Sequence, residues 1–238
     1  MSIVGSILSA LRTLLGGDCC MICGGYADST THHICNKCRL SIPLTRYYLE
    51  AENSVRDRFS SFAPVYQASA LYFYDSEPVW RDVIHRLKYR GEWHLAYVMG
   101  RWYGEVLRDV DLYADVDIIL PIPLHPMKIL KRGYNQSAYI AEGMAREMGV
   151  KVDCRAVRRV KNNPSQTTKN GMTRWQNVES IFRVCRPEKL QGKHILVVDD
   201  VLTTGATIAS CIMAIYAAVP DCRISVVALA TPIERTLK

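Results

Sequence analysis

The chain has no run of about 18 consecutive apolar residues, so the sequence predicts no membrane-spanning helix. Its first 18 residues lack the basic start and small-residue cleavage site of a secretory signal. Instead, Ile3, Ile7, Leu8, Leu11, Leu14 and Leu15 share one side of a short amphipathic pattern that stops at Gly16-Gly17. Asp18 before Cys19 also spoils a lipoprotein-type processing site. No internal repeat and no low-complexity tract is present, which excludes a solenoid. A length of 238 residues with 49% hydrophobic composition fits one α/β domain and a small appendage.

What is present is concentrated in residues 194–208. Ile195 to Val198 form a short, continuous β-branched run, as expected of a strand covered on both faces in a parallel sheet. Asp199 and Asp200 follow at its carboxyl end, where open α/β sheets bind ligands. Thr203, Thr204, Gly205, Ala206 and Thr207 then make a turn of small residues that opens an apolar helix over 208–219. Backbone amides at such a helix start favour an anion, so a 5′-phosphate fits on 203–207. The two carboxylates, one loop away, suit ribose hydroxyls or a hydrated magnesium ion.

A second signal lies near the other end. Cys20-Met-Ile-Cys23 and Cys35-Asn-Lys-Cys38 are two knuckles separated by eleven residues, a spacing that closes one tetrahedral zinc site. Four sulfurs leave no open position, so the expected zinc is structural. Cys19 next to Cys20 leaves the first ligand open by one residue, and His32 or His33 are alternative donors. Nine cysteines without a secretory signal point to a reducing, cytoplasmic setting. Cys154, Cys185, Cys211 and Cys222 show no paired spacing and read mostly as small buried residues.

The formal charge of +7 is unevenly spread. Between Lys151 and Arg174 stand Lys151, Arg155, Arg158, Arg159, Lys161, Lys169 and Arg174 against a single acid, Asp153. Lys128, Lys131 and Arg132 form another basic group after Pro121-Ile-Pro-Leu-His. Such segments hold pyrophosphate or follow a nucleic-acid backbone. From Val65 onward the pattern predicts strands over 67–73, 116–121, 152–157, 194–198 and 224–230, with helices over 79–89 and 95–108. A further helix carries Ala138, Ala141, Ala145 and Met148 and stops near Gly149, and Asn162 to Val178 is expected to be a mobile loop.

The segment around Asp199 and Asp200 resembles the signature of the type I phosphoribosyltransferases: four apolar residues, two acids, two apolar residues, then a Thr/Ser/Gly-rich turn. Enzymes for 6-oxopurines carry an aspartate at the position of Thr203, so purine salvage fits poorly. Lys131-Arg-Gly-Tyr-Asn-Gln136, Gln166-Thr167 before Arg174 and Asn177, and Leu87-Lys-Tyr-Arg-Gly91, behind the cysteine module, make the whole similar to the ComF family of competence proteins. The resemblance implies an α/β fold, a parallel phosphoribosyltransferase-like sheet flanked by helices with a small four-cysteine zinc module in front. Its expected divisions are an amphipathic segment 1–18, a zinc-binding module 19–45 and a phosphoribosyltransferase-like domain 60–238.

Carried over by position, Asp199 and Asp200 bind ribose hydroxyls and magnesium, Thr203 to Thr207 bind the 5′-phosphate, and Pro123, Leu124 and His125 with Lys128 form the pyrophosphate loop. Arg174 or Lys169 neutralises the leaving group, which makes Asp199, Asp200 and Arg174 the catalytic candidates. Lys169 departs from the family pattern, where an apolar residue follows Gln-Thr. Arg132, Tyr134, Asn135 and Gln136 flank the site, with capping and packing roles open for the last two. The family is linked to the handling of single-stranded DNA in natural transformation, at the inner face of the membrane. Lys131, Arg132, Arg158, Arg159, Lys161, Lys169 and Arg174, with exposed aromatics such as Trp175 or Tyr134, are the nucleic-acid candidates. Expected partners are single-stranded DNA, phosphoribosyl pyrophosphate or a related nucleotide, and a DNA-uptake helicase or inner-membrane channel. No residue stands out as a base for an acceptor, and an active transferase remains the competing reading.

Overall fold

A five-stranded parallel sheet in the order β1-β7-β6-β2-β3 forms the centre of the protein, seen in a computed structural model that describes residues 19–27, 33–161 and 181–233. The strands are β1 (Ala68–Phe73), β2 (Ile118–Pro121), β3 (Lys151–Val152), β6 (His194–Val201) and β7 (Arg223–Thr231). An antiparallel pair, β4 (Val157–Arg159) and β5 (Phe182–Val184), stands apart from them. The helices are α1 (Asn36–Ser41), α2 (Ser54–Asp57), α3 (Pro78–Tyr89), α4 (Trp93–Arg108), α5 (Pro126–Arg132), α6 (Gln136–Met148) and α7 (Ala206–Ala218).

The pleat of β6 sorts the core into two layers. Leu196 and Val198 join a cluster with Trp80 and Leu87 of α3, Met99 and Tyr103 of α4, and Ile140 and Met144 of α6. Ile195 and Val197 join the opposite cluster with Ile208, Ile212 and Ile215 of α7 and Phe59. The cysteine segment contributes Ile22, Ala27, Ile34 and Ile42 to the first cluster, so it packs on the same core as α3 and α4. Arg86 on α3 holds it there: its guanidinium donates to the carbonyls of Met21 (2.7 Å) and Ile22 (3.3 Å) while pairing with Glu92.

Helices α4 and α6 cross backbone to backbone, because Gly100 and Gly104 on one meet Ile140, Gly143 and Met144 on the other with no side chain between them. Arg101 and Glu147 close the flank of that contact at 2.6 Å. α6 begins at Asn135, whose side chain accepts from Ser137 N and donates to Ile122 O, and it ends at Gly149 in the left-handed conformation.

Two expectations need correction. The strand predicted over 152–157 is two elements, because Asp153 Oδ1 accepts from the amides of Arg155 (2.7 Å) and Ala156 (2.9 Å) and turns the chain between β3 and β4. Among the unpaired cysteines, Cys211 and Cys222 are buried as expected, but Cys154 and Cys185 are exposed on that turn and on the end of β5. The amphipathic segment 1–18 and the loop 162–178 lie outside the described residues.

At the amino ends of β6 and β7, His194 bonds Asp115 (2.7 Å) through Nδ1 and Ser225 Oγ (2.8 Å) through Nε2. The connectivity is that of a Ser-His-Asp relay. Ser225 has no exposed surface, however, and the group lies at the end of the sheet opposite the carboxyl ends of the strands, so it is a satisfied structural network whose outer member, Asp115, reaches the surface and pairs with Arg223.

Candidate functional site: a carboxylate pair and an anion turn

Topology places the site. From β2 the chain moves outward to β3, whereas from β6 it moves the other way to β7, so the strand order reverses between β2 and β6. Open α/β sheets have a ligand crevice at such a switch point, at the carboxyl ends of the strands. The β2–β6 pairing stops at Pro121 opposite Val198, and Ile122 N makes the last bond to Val198 O at 2.8 Å. Beyond that bond Asp199 and Asp200 continue in β6, which runs to Val201 rather than ending at Val198 as the sequence pattern suggests, held there on one side by β7.

The alternating pleat sends the two carboxylates to opposite sides of the strand. Asp199 accepts from Ser137 Oγ at 2.8 Å at the start of α6, and its own Oδ1 also takes the amide of Asp200. Asp200 is buried, with Lys88 Nζ of α3 3.3 Å from its Oδ2. That oxygen has no directed hydrogen bond among the described residues, so an acceptor stands ready for a hydroxyl or hydrated cation. Burial and the neighbouring Asp200 charge push the Asp199 carboxyl up to about 7, against the pull of the Ser137 bond and Lys88.

After β6 the turn closes a pocket lined by Asp199, Val201, Leu202 and residues 203–208. Gly205 is in the left-handed conformation (φ 76°), and a Cβ there would lie 3.2 Å from the Phe59 ring. The first helical bond of α7 runs from Ala209 N to Gly205 O, so the amides of Thr207 and Ile208 precede it and face the pocket end of the helix. Thr204 Oγ1 takes the Ala206 amide at 3.4 Å. Arg58 braces the turn from behind, donating to Leu202 O (3.2 Å), Thr203 O (2.6 Å) and Thr231 Oγ1 (3.0 Å).

On the other wall, Pro123, Leu124 and His125 leave β2, and His125 Nδ1 caps α5 by accepting from Met127 N. Burial, with the cations Arg159, Arg132 and Lys88 close by, lowers Lys128. Arg159 is lowered by burial too, while Asp199 acts in the opposite direction. Lys88, Lys128 and Arg159 therefore converge on the crevice that holds the carboxylates. This arrangement suits a ligand with an anionic tail and hydroxyls.

Most of the expected site residues are thus brought together, and some are redistributed. Of the residues expected on a nucleic-acid face, Arg159 turns toward the carboxylate crevice and Arg132 lies over the Tyr89 ring, whereas Lys131 and Arg158 are exposed and Lys161 is partly exposed. Tyr134 is a correction: it is buried at 8% exposure, and its hydroxyl donates to Leu87 O. Asn135 and Gln136 take the capping and packing roles, Gln136 accepting from Arg132. Lys169, Arg174 and Trp175 lie outside the described residues. Sequence reasoning missed Lys88, Ser137 and Arg58 as site residues. Lys88 sat in a segment already noticed and Ser137 one residue past another, but nothing local to Arg58 announces its target 145 positions away.

Cys20, Cys23, Cys35 and Cys38 bring their sulfurs within 4.8 Å of one another, and neither Cys19 nor His33 belongs to that group. Cys20 Sγ to Cys38 Sγ is 3.8 Å and Cys23 Sγ to Cys35 Sγ is 3.7 Å. A tetrahedron with metal–sulfur bonds of about 2.3 Å has edges of about 3.8 Å, whereas a disulfide would bring the sulfurs to about 2 Å. The cluster can therefore hold a metal ion. Burial raises Cys20, but the amides of Cys23, Cys35 and Ile22 outweigh it and bring the thiol to about 7. Burial pushes Cys38 up.

The fold and its carboxyl-end crevice define a phosphoribosyltransferase-type protein, and the Phosphoribosyl transferase domain family matches residues 134–238. The chain is 29% identical over 194 residues to DNA utilization protein YhgH of Escherichia coli (strain K12), covering 80% of each chain. It is 24% identical over 193 residues to Competence protein ComFC of Bacillus subtilis, covering 81% of this chain and 69% of that one. Competence protein F of Haemophilus influenzae is 25% identical over 130 residues, or 53% and 57% of the two chains. The chain is thus similar to competence-related proteins and carries a match to a phosphoribosyltransferase domain. Among the described residues no helix is long and apolar enough to cross a membrane.

Proposed function

We propose that the protein binds phosphoribosyl pyrophosphate or a related nucleotide with magnesium in the β2–β6 crevice, and that it uses this site in the handling of single-stranded DNA during natural transformation. The observation that carries the reading is the carboxylate pair Asp199 and Asp200 followed directly by the anion turn 203–207 at the start of α7. In it, Asp199 and Asp200 hold ribose hydroxyls and the magnesium ion, whose role is to neutralise pyrophosphate charge. The turn amides take the 5′-phosphate, and Lys88 and Lys128 face the pyrophosphate. The relatives named for competence and DNA utilization support the DNA role. Its place is in the cytoplasm, with peripheral association at the inner face of the membrane through a helicase or channel partner.

Titration calorimetry with phosphoribosyl pyrophosphate and magnesium, with and without single-stranded DNA, tests this. Binding that is tightened or weakened by DNA is the expected result, because linkage requires each ligand to change the affinity of the other equally. No heat with phosphoribosyl pyrophosphate would remove the site assignment. Release of pyrophosphate would establish the second reading, a transferase for an unidentified acceptor. That reading is favoured by the convergence of Lys88, Lys128 and Arg159 where a leaving pyrophosphate would sit.

We also infer that the four-cysteine cluster holds a structural zinc ion within a module spanning 19–45. Purified protein is expected to contain one zinc per chain. Because Arg86 ties Met21 and Ile22 to α3, chelation should lower the melting temperature of the whole chain as well as unravel the cysteine segment. Cys38→Ser should do the same. An unchanged melt after metal removal, measured by circular dichroism with metal analysis, would argue against a structural ion.

A further inference from the structure

The elbow between α3 and α4 carries a surface that the ribose-phosphate site does not use. Gly91 in the left-handed conformation (φ 73°) lets the chain turn sharply there. Tyr89 is left 69% exposed on one side of the turn and Trp93 39% exposed on the other. Trp93 is enclosed by aromatic neighbours, with His94 stacked on it at a ring-centroid distance of 3.3 Å and planes at 27°, whereas Tyr89 meets His85 at 5.0 Å and 44°. Trp93 packs on Tyr139 of α6 with ring centroids 5.0 Å apart and planes at 35°. Tyr139 in turn meets the buried Tyr134 edge to face at 5.7 Å, and Tyr134 is pinned to Leu87 O, two residues before Tyr89. The Arg132 guanidinium lies over the Tyr89 ring at 5.8 Å.

Tyr89 is thus the ring open to a partner, and the chemistry around it identifies that partner. Arg132 sits on Tyr89, Arg90 follows it with more than half of its side chain exposed, and Lys131 is exposed on the same helix as Arg132. The nearby acids are already engaged, Asp82 with Arg90 at 3.6 Å and Glu92 with Arg86. Flat rings interleaved with cations match a flexible polyanion whose flat groups are free to stack. An apolar peptide would bring no charge for Lys131, and a duplex would keep its bases out of reach.

We propose that the α3–α4 elbow is a base-stacking platform for single-stranded nucleic acid, with Tyr89 stacking a base, Trp93 between His94 and Tyr139 forming the aromatic wall beside it, and Arg90 and Lys131 following the phosphates. It deepens the single-strand reading given above and rests on it. The platform moves the aromatic contact from Tyr134, which is buried, to rings one layer further out. It also lies beside the ribose-phosphate crevice, since Lys88, which reaches Asp200, immediately precedes Tyr89.

The test is fluorescence anisotropy of a labelled oligothymidylate with the full zinc-loaded chain, with phosphoribosyl pyrophosphate binding followed in parallel on the same variants. Tyr89→Ala is expected to weaken the oligonucleotide about tenfold. Tyr89→Phe, which keeps the ring, should bind as the natural protein does, and both should bind phosphoribosyl pyrophosphate unchanged. Lys131→Gln should lower the slope of log affinity against log salt by about 0.7, the loss of one phosphate contact on a single strand. If the natural protein binds the oligonucleotide and Tyr89→Ala binds it equally well, the platform is wrong while the DNA reading stands. If the natural protein shows no affinity for the oligonucleotide, both fall together. A loss in Tyr89→Phe as large as in Tyr89→Ala would also overturn stacking. Tyr89 is exposed, so these variants should fold, and a melting curve checks it.

Discussion

Asp199→Asn is expected to weaken phosphoribosyl pyrophosphate binding about 100-fold and, at the same time, to raise the melting temperature of the free protein at pH 8. The two effects have one cause. Asp199 and Asp200 are adjacent carboxylates at the end of a strand, and burial with mutual repulsion holds the Asp199 carboxyl near 7 instead of the usual range near 4. Between those two values the folded protein binds a proton that the unfolded chain does not. Stability therefore falls as pH rises from about 4 to about 7, and the full cost is present above 7. Asparagine removes the charge but keeps an oxygen to accept from Ser137 Oγ. The variant should consequently melt higher than the natural protein at pH 8, with the difference shrinking toward pH 5.

Binding should move the opposite way. Each lost charge-assisted contact to a ribose hydroxyl or the metal removes about 1.5–3 kcal/mol, so one substitution should weaken the ligand by about 100-fold and the double Asn variant beyond detection. Calorimetry and pH-dependent melting on the same preparation separate this outcome from simple misfolding. A variant that binds normally would remove the carboxylates from the site, and one that melts lower at pH 8 would contradict the repulsion.

Gly143→Ala is expected, with Gly100→Ala, to be among the most disruptive glycine-to-alanine changes in the described residues. A Cβ at Gly143 would lie 2.2 Å from Tyr97 O and 2.7 Å from Arg101 N, both backbone atoms of α4. Gly100→Ala makes the reciprocal collision, 2.2 Å from Ile140 O. No rotamer can relieve a clash between Cβ and backbone, so α4 and α6 must separate. Overpacking in a closed core typically costs about 1–3 kcal/mol, and a forced helix separation belongs at or above the top of that range. The displacement also reaches the ligand crevice, because α6 begins with the Asn135 cap and with Ser137, which holds Asp199. Loss of ligand affinity should accompany the fall in melting temperature. Gly149→Ala is the comparison: its added methyl meets nothing within 4 Å, and only the left-handed backbone (φ 71°) opposes it. A Gly143→Ala protein as stable as Gly149→Ala would show that the two helices can slide apart freely.

The sequence was most legible where chemistry and local geometry coincide. Asp199, Asp200 and the turn 203–207 are contiguous, so their types and order describe a strand end and an anion cradle before any tertiary contact forms. The cysteine knuckles are legible for the same reason, and the four sulfurs converge as their spacing implies. Less legible were elements set by single polar contacts, such as the turn at Asp153 that divides β3 from β4. The exposure of Tyr134 was misread because a tyrosine between Gly133 and Asn135 gives no local sign of the Leu87 carbonyl that buries it.

The amino-acid sequence by itself determined the α/β class, the acid pair, the small-residue turn after it and the metal-type cysteine quartet, since each depends on residues within a few positions of one another. Only the tertiary structure decided that the strand order reverses between β2 and β6, that Lys88, Ser137 and Arg58 reach the carboxylates and the turn, and that Tyr89 is among the rings left facing solvent. Those outcomes depend on how helices distant in the chain pack across one sheet, and packing partners far apart in sequence leave no periodicity or spacing to read.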